Sequence, residues 1–144
     1  MQKLTKPTKA KEIARAWHLV DAKGAILGRT STRIASLLMG KGKPYFAKNM
    51  DCGDYVVVIN AVNVKVTGNK EKAKVYTRYS GYPGGLRSAR LEEVRAKNPN
   101  KIITHAVSGM LPKNKLRDQW LKRLYVYAES SHPYGEKLKS DEKN

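Results

Sequence analysis

The chain has 144 residues, a length that fits one domain with a single hydrophobic core. Lysine and arginine number 29 against 12 aspartate and glutamate, a formal net charge of +17, so the chain repels itself unless a polyanion neutralises it. Hydrophobic residues make up 40% of the chain, too many for a disordered basic tail. The single cysteine, Cys52, excludes an internal disulfide and a cysteine-rich zinc site, and fits a reducing, intracellular compartment.

Three regions are predicted from composition: a basic N-terminal arm at 1–16, an α/β domain at 17–128 and a tail at 129–144. The arm lacks the apolar run of a secretion signal. Even the longest apolar runs of the chain, such as Tyr55–Ile59, are far too short to span a bilayer. Residues 16–128 hold 21 of the basic and seven of the acidic residues, so we expect the folded body to carry most of the charge.

The first half of the chain predicts a strand, a helix and a buried strand. Residues 17–22 alternate as a strand does, and Thr30 or Ser31 is a suitable cap for a helix that runs from Thr32 until Gly40, with Arg29 and Arg33 in its first turn. The β-branched run 55–59 is typical of a strand buried on both faces, which predicts the centre of the sheet.

The second half predicts two strands, three helices and a last strand. The strands are 62–66 and 74–79 around a basic turn, followed by a loop at 80–85. The helices begin at Ser88, at Pro99 after an Asn98 cap, and near Leu116, and the last strand is 124–128. Leu91 and Val94 share a face of the first of these helices, and the second places Ile103, Val107 and Met110 along one stripe. This order favours an α/β fold: a single three-layer domain with a central, mostly parallel sheet of about four strands flanked by helices.

Motifs for catalysis are weak. The turn from Gly24 to Thr30 could hold a nucleotide phosphate, but its glycine spacing fits neither a P-loop nor a dinucleotide fingerprint. Residues 51–54, Asp-Cys-Gly-Asp, favour a turn before a strand over a catalytic site. The three histidines are too far apart for a metal pair; we expect His18 and His105 to be packed or hydrogen-bonded and His132 to contact RNA.

Basic residues recur beside glycine and tyrosine in three predicted loops, at 41–45, 68–74 and 78–85. Lysine and arginine neutralise phosphates, glycine allows close approach of the backbone, and tyrosine stacks on unpaired bases. A solvated, non-binding face is the alternative for any one such loop. Three together, on a strongly basic body, predict a surface that binds folded RNA.

Five short motifs resemble one family. They are Leu27-Gly-Arg29, Gly53-Asp-Tyr-Val-Val-Val-Ile-Asn-Ala61, Val66-Thr-Gly-Asn-Lys70, Gly81-Tyr-Pro-Gly-Gly85 and Gly109-Met-Leu-Pro-Lys-Asn114. In this order, and from about Trp17 to Pro133, the chain resembles the L-thirteen family of large-ribosomal-subunit proteins. It departs from the family where Arg117 and Glu129 stand in place of glycines, which puts the contacts of residues 117–123 in doubt.

The resemblance implies a non-enzymatic protein that binds the large ribosomal RNA, meets neighbouring ribosomal proteins and supports early subunit assembly. It implies RNA contacts at Lys41, Lys43, Lys70, Lys72, Arg78, Tyr79 and residues 110–115. The basic loops and the resemblance together predict a set of RNA-binding residues. The set is Arg29, Arg33, Lys41, Lys43, Lys48, Lys70, Lys72, Lys74, Arg78, Tyr79, Tyr82, Arg87, Met110, Lys113, Asn114, Lys115, Arg117, Arg123 and His132.

The remaining expectations concern partners and place. We expect no cofactor, no metal, no small-molecule substrate, no membrane contact and no homo-oligomer, and a cytoplasmic ribosome as the location, with an organellar ribosome also open. Two alternatives stay open at this point: an α/β enzyme that acts on a nucleotide or RNA through the turn 24–30, and a regulatory module that binds messenger RNA.

Overall fold

A computed structural model describes residues 7–141. Residues 1–6 of the predicted arm and 142–144 of the predicted tail lie outside it, and the division into arm, domain and tail stays a prediction. The strands are β1 (Trp17–Asp21), β2 (Tyr55–Ile59), β3 (Val75–Tyr79), β4 (Leu86–Arg90) and β5 (Leu124–Val126). The α-helices are α1 (Leu27–Met39), α2 (Lys70–Ala73), α3 (Leu91–Lys97), α4 (Asn100–Met110), α5 (Leu116–Lys122) and α6 (Gly135–Asp141).

The main sheet is parallel and has the strand order β1-β2-β5. Its central strand is β2, whose residues Val56, Val57 and Val58 are fully buried, as the continuous β-branched run predicted. Helices α1 and α4 pack in the core with Val56 and Val58, and α6 contacts β1. The predicted α/β class with a central parallel sheet flanked by helices is confirmed; the sheet has three strands, and β3 and β4 pair separately.

Helix α1 begins earlier than predicted. Its first residue is Leu27, and neither Thr30 nor Ser31 caps it. The Leu27 N–H donates instead to the carbonyl of Lys65 at 2.8 Å, so a neighbouring segment satisfies the helix start. Ser31 lies fully buried inside the helix. Arg29 is therefore in the first turn, as predicted, but Arg33 is in the second, which corrects that expectation.

The segment after β2 is not the predicted strand. Asn60 adopts a left-handed conformation with φ 58°, which turns the chain out of the sheet into a 3-10 turn at Ala61–Asn63. Only an isolated bridge from Lys65 to Ile26 follows, and α2 occupies the predicted basic turn. Of the alternating valines, Val64 is buried and Val66 packs against the core, whereas Val62 is exposed.

The helix predicted to begin at Ser88 starts at Leu91. Residues 86–90 form β4, which pairs antiparallel with β3 in a hairpin closed by the predicted loop at 80–85. Ser88 lies opposite Thr77 in this ladder. Cross-strand pairing, which local composition does not reveal, overrides the capping signal of Ser88.

Later elements follow the prediction with shorter bounds. Helix α4 buries Ile103 and Val107 as expected, but Met110 is exposed, and Asn98 makes no side-chain capping bond because Pro99 stands at the cap position. Strand β5 ends at Val126 instead of residue 128. In the tail region, residues Gly135–Asp141 form helix α6, which the sequence did not predict.

Two carboxylates in the turn before β2 hold separate parts of the chain together. Asp51 pairs with Arg123 at the start of β5, accepts a hydrogen bond from the Trp120 indole at 2.9 Å and contacts Arg15. Asp54 pairs with Lys43, lies 2.9 Å from His18 Nε2 and accepts the Ala16 N–H. We call Asp51 and Asp54 with these partners the carboxylate turn.

Glycine is required inside the carboxylate turn. A Cβ added to Gly53 would lie 1.6 Å from the carbonyl oxygen of Leu38, and one on Gly40 would lie 2.3 Å from that of Cys52. Gly40 ends α1 with φ 74°, a left-handed conformation that disfavours other residues. The end of α1 and the turn 51–54 therefore pack backbone against backbone.

The carboxylate turn predicts a specific acid sensitivity. Burial opposes ionisation of Asp54, but hydrogen bonds from His18 and Lys43 hold its pKa below the ordinary value. A carboxyl whose pKa is lowered by folding stabilises the native state above its unfolded pKa, and this stability is lost as the pH falls through the folded pKa. We therefore expect the free energy of unfolding to fall below about pH 5.

The variant Asp54→Asn isolates the contribution of Asp54 to the acid sensitivity from that of the other carboxyl groups. We expect it to cost about 3 kcal/mol at neutral pH, since Lys43 loses its buried partner, and to show a shallower decrease in acid. Urea unfolding of both proteins between about pH 7 and pH 3 measures the two slopes. If the free energy of unfolding fell equally steeply with pH in both proteins, Asp54 would not be a source of the acid sensitivity.

Candidate nucleic-acid interface

Helix α4 separates the core from an exposed cationic surface. Its buried face carries Ile102, Ile103 and Val107. Lys101, His105 and Gly109 recur every four residues and are exposed, so they form a stripe on the outer face. Two clefts open along this stripe, one toward α1 and α2 and the other toward the β3–β4 hairpin.

The first cleft, here the α4 cleft, lies between the start of α1, the segment 66–74 and the second half of α4. Its volume is about 620 Å³, within the usual range of ligand pockets. It is lined by Ile26, Leu27, Gly28, Arg29, Thr32, Val66, Thr67, Lys70, Lys74, His105, Ala106, Gly109 and Met110. The structure thus brings together the predicted residues Arg29, Lys70, Lys74 and Met110, which are far apart in sequence.

The second cleft, here the hairpin cleft, has a volume of about 550 Å³ and lies between the hairpin and α4. It is lined by Tyr76, Thr77, Arg78, Arg87, Ser88, Ala89, Val94, Lys101 and His105. Arg78 and Arg87 were predicted from the sequence; Lys101 was not. Neither cleft has an aspartate or glutamate among its lining residues.

His105 and Tyr76 form the ridge between the two clefts. Their rings meet edge to face with centroids 5.1 Å apart, and Lys74 Nζ lies 5.4 Å from the Tyr76 centroid. His105 is packed, as expected, but it is also exposed and lines both clefts. The four-residue spacing between Lys101 and His105 places both on one face of α4, a signal in the sequence from which this surface could have been predicted.

Arg95 holds α2 and its lysines in place. Its guanidinium binds both carboxylate oxygens of Glu71 at 2.8 and 3.0 Å, and it donates to the carbonyls of Val62 and Val64. Such a bidentate pair fixes geometry as well as charge. The short helix α2 therefore presents Lys70 and Lys74 to the α4 cleft.

The tip of the β3–β4 hairpin is the most exposed aromatic part of the described chain. Tyr79 and Tyr82 have 65% and 75% of their surface exposed. Arg78 and Arg87 lie directly opposite each other in the ladder, an arrangement in which like charges destabilise the pair. A bound anion would remove this repulsion.

Most other predicted residues are exposed and have no carboxylate partner within residues 7–141: Arg33, Lys41, Lys48, Lys72, Lys113 and Lys115. Asn114 accepts the Leu116 N–H at 3.1 Å, which helps to start α5. Arg117 is half-buried. The Met110 sulfur accepts a hydrogen bond from the Thr32 hydroxyl, and both residues line the α4 cleft.

Three predicted residues lie elsewhere. Lys43 and Arg123 belong to the carboxylate turn, where Asp54 and Asp51 neutralise them. His132 accepts the Tyr134 N–H and lies beside Tyr127. The charges of Lys43 and Arg123 and the hydrogen bond of His132 are therefore satisfied within the protein.

The fold and this surface define an α/β protein in which the cations that line the two clefts have no carboxylate partner within residues 7–141. No helix within residues 7–141 is long and apolar enough to cross a membrane. In the same part of the chain, no group of three or more histidine, cysteine, aspartate and glutamate residues is arranged to hold a metal ion.

Comparison with known proteins gives the family. The family described as Ribosomal protein L13 matches residues 15–133. The chain is 51% identical over 139 residues to the large ribosomal subunit protein uL13 of Nitratiruptor sp., covering 96% of this chain and 99% of the relative. It is 52% identical over 128 residues to uL13 of Solibacter usitatus, covering 89% of each. The chain therefore belongs to the ribosomal protein L13 family, as its motifs indicated.

The facing arginines of the hairpin generate a prediction. We expect Arg87→Glu to stabilise the hairpin by about 0.2–1 kcal/mol, because an attractive cross-strand pair replaces a repulsive one. Arg87→Gln, which only removes the repulsion, should give a smaller gain. Amide hydrogen exchange of residues 75–79 and 86–90 measures the effect. Unchanged protection in both variants would contradict a repulsive Arg78–Arg87 contact.

Proposed function

We propose that the protein is a structural constituent of the large ribosomal subunit that binds large-subunit ribosomal RNA and supports early assembly of the subunit. The observation that carries the proposal is the convergence of unpaired cations on the two clefts and the hairpin. The relatives named above are large-subunit proteins, which supports the same role.

Phosphate neutralisation is the chemistry of this surface. The exposed lysines and arginines attract RNA phosphates, and Tyr79 and Tyr82 offer rings for unpaired bases. The proposed contacts are Arg29, Arg33, Lys41, Lys48, Lys70, Lys72, Lys74, Arg78, Tyr79, Tyr82, Arg87, Met110, Lys113, Asn114, Lys115 and Arg117. The proposal also includes Lys101 and His105, because both line the hairpin cleft. The proposal leaves out Lys43, Arg123 and His132, whose partners are internal.

Clamping RNA requires no chemical step. Cations on separate elements, such as Arg29 on α1 and Arg87 on β4, lower the repulsion between RNA segments and fix them relative to one another. No bond is broken, which supports a non-enzymatic role. The proposed partners also include neighbouring ribosomal proteins, and the proposed location is a cytoplasmic or organellar ribosome.

Co-sedimentation tests the proposed location. In a sucrose gradient of a cell lysate at moderate salt, we expect the protein to migrate with large-subunit particles and their precursors. High salt should release it to a degree that depends on the number of phosphate contacts. Absence from large-subunit particles at moderate salt would overturn the ribosomal assignment.

A charge-removal variant tests the proposed contacts. Replacing Lys70, Lys72 and Lys74 by glutamine should weaken binding to a large-subunit RNA fragment and reduce the log-log salt slope by about 2–3, since each phosphate contributes about 0.7–0.9. The fold should persist, because these side chains are exposed.

The control removes three lysines outside both clefts, Lys23, Lys97 and Lys122, which are also exposed. It has the same net charge as the triple variant. Equal losses of affinity in the two proteins would show that only net charge matters, and would remove α2 from the interface.

A further inference from the structure

The α4 cleft has a shape that a purely electrostatic RNA contact does not need. Regular RNA duplex presents its phosphates on a convex surface, and protruding side chains are enough to reach them. Here the walls of a concave cleft are largely apolar, formed in part by Leu27, Val66 and Ala106. Apolar walls favour burial of a flat, weakly polar group such as a base.

The cations of the cleft are arranged for a ligand with adjacent phosphates. Arg29, Lys70 and Lys74 come from two different elements and are all exposed. None of them pairs with a carboxylate in the described part of the chain, so their charges are available. A nucleotide within an RNA strand supplies both parts: a base for the walls and phosphates for the cations.

Two further lining residues of the cleft also suit a base. The exposed ring of His105 packs edge to face against Tyr76. The Met110 sulfur lies 3.3 Å from the Thr32 hydroxyl. Imidazole rings and thioethers both pack favourably on aromatic bases.

We propose that the α4 cleft holds the base of one unpaired RNA nucleotide, with the flanking phosphates on Arg29, Lys70 and Lys74. The inference rests on the proposed function and deepens it. The protein recognises an RNA bulge or loop through the cleft, whereas a regular RNA duplex binds only to the cations outside the cleft. Recognition of extruded bases is the usual way in which proteins read RNA.

A free nucleotide fits the cleft less well than an RNA strand. The Leu27 N–H already binds the Lys65 carbonyl, and the Thr30 N–H binds that of Ile26, so these amides of α1 are not available for a terminal phosphate group. No carboxylate among the lining residues could bind the ribose hydroxyls. The affinity must come from a strand that also contacts the outer cations.

Gly109 offers a variant that fills the cleft. Gly109 lines the cleft, and a Cβ at this position meets no atom within 4 Å, so Gly109→Leu starts its side chain in open space beside the cleft. Leucine also favours the helix more than glycine does. Thr104→Leu is the matched control, because Thr104 is exposed on the same helix and does not line either cleft.

The test uses two RNA hairpins of the same stem, one fully paired and one with an unpaired 2-aminopurine bulge. We expect the full-length protein to bind the bulged hairpin about tenfold more tightly, as stacking of a single base allows, and to change the 2-aminopurine fluorescence. Gly109→Leu should lose the preference and the fluorescence change but retain salt-dependent binding to the paired hairpin. Thr104→Leu should behave as the original protein.

The other outcomes separate the inference from the proposed function. Equal, salt-dependent binding of both hairpins would overturn the base site and leave general RNA binding intact. A preference that survives in Gly109→Leu would place the base elsewhere and overturn the assignment to this cleft. Displacement of the bulged hairpin by free adenosine monophosphate would assign the cleft to a free nucleotide instead. No salt-dependent binding of either hairpin would count against RNA binding itself.

Discussion

The pairing of Asp51 and Asp54 with basic residues from distant segments is the constraint on which the rest of the structure depends. These two carboxylates bind Arg123, Lys43, Arg15 and His18, which lie on segments far apart in sequence. Removal of one partner leaves a buried charge without compensation. The pairs therefore fix where β2 begins, how the residues before β1 approach it and where β5 joins the sheet.

The same constraint divides the charges of the protein. Several of its few acids act inside the fold: Asp51 and Asp54 in the turn, and Glu71 with Arg95 under α2. The cations that line the clefts have no such partner in the described chain, and Arg78 and Arg87 even face each other. On this surface like charges lie close together without a carboxylate to compensate them. This is the physical basis for proposing that the surface binds a polyanion.

Helix α4 connects the stability of the protein to its surface. Ile102, Ile103 and Val107 anchor it in the core, so the outer residues Lys101 and His105 stand on a rigid support. A site built on such an element keeps its geometry better than one on loops alone. The hairpin and α2 then close the clefts from the other side, α2 through the bidentate Arg95–Glu71 pair.

The sequence by itself determined the class of fold, the buried strand β2, the burial of Ile103 and Val107 on α4 and the excess of cations, because periodicity and composition are local properties. The tertiary structure decided the rest. It replaced the strand predicted at 62–66 by a 3-10 turn and an isolated bridge, and it made Ser88 part of a hairpin. It also paired Lys43 and Arg123 with the carboxylates of the turn, whereas Lys101 and His105 are exposed. These outcomes depend on hydrogen bonds and ion pairs between distant residues. A local sequence pattern does not distinguish a lysine that pairs with a buried aspartate from one that is exposed to solvent.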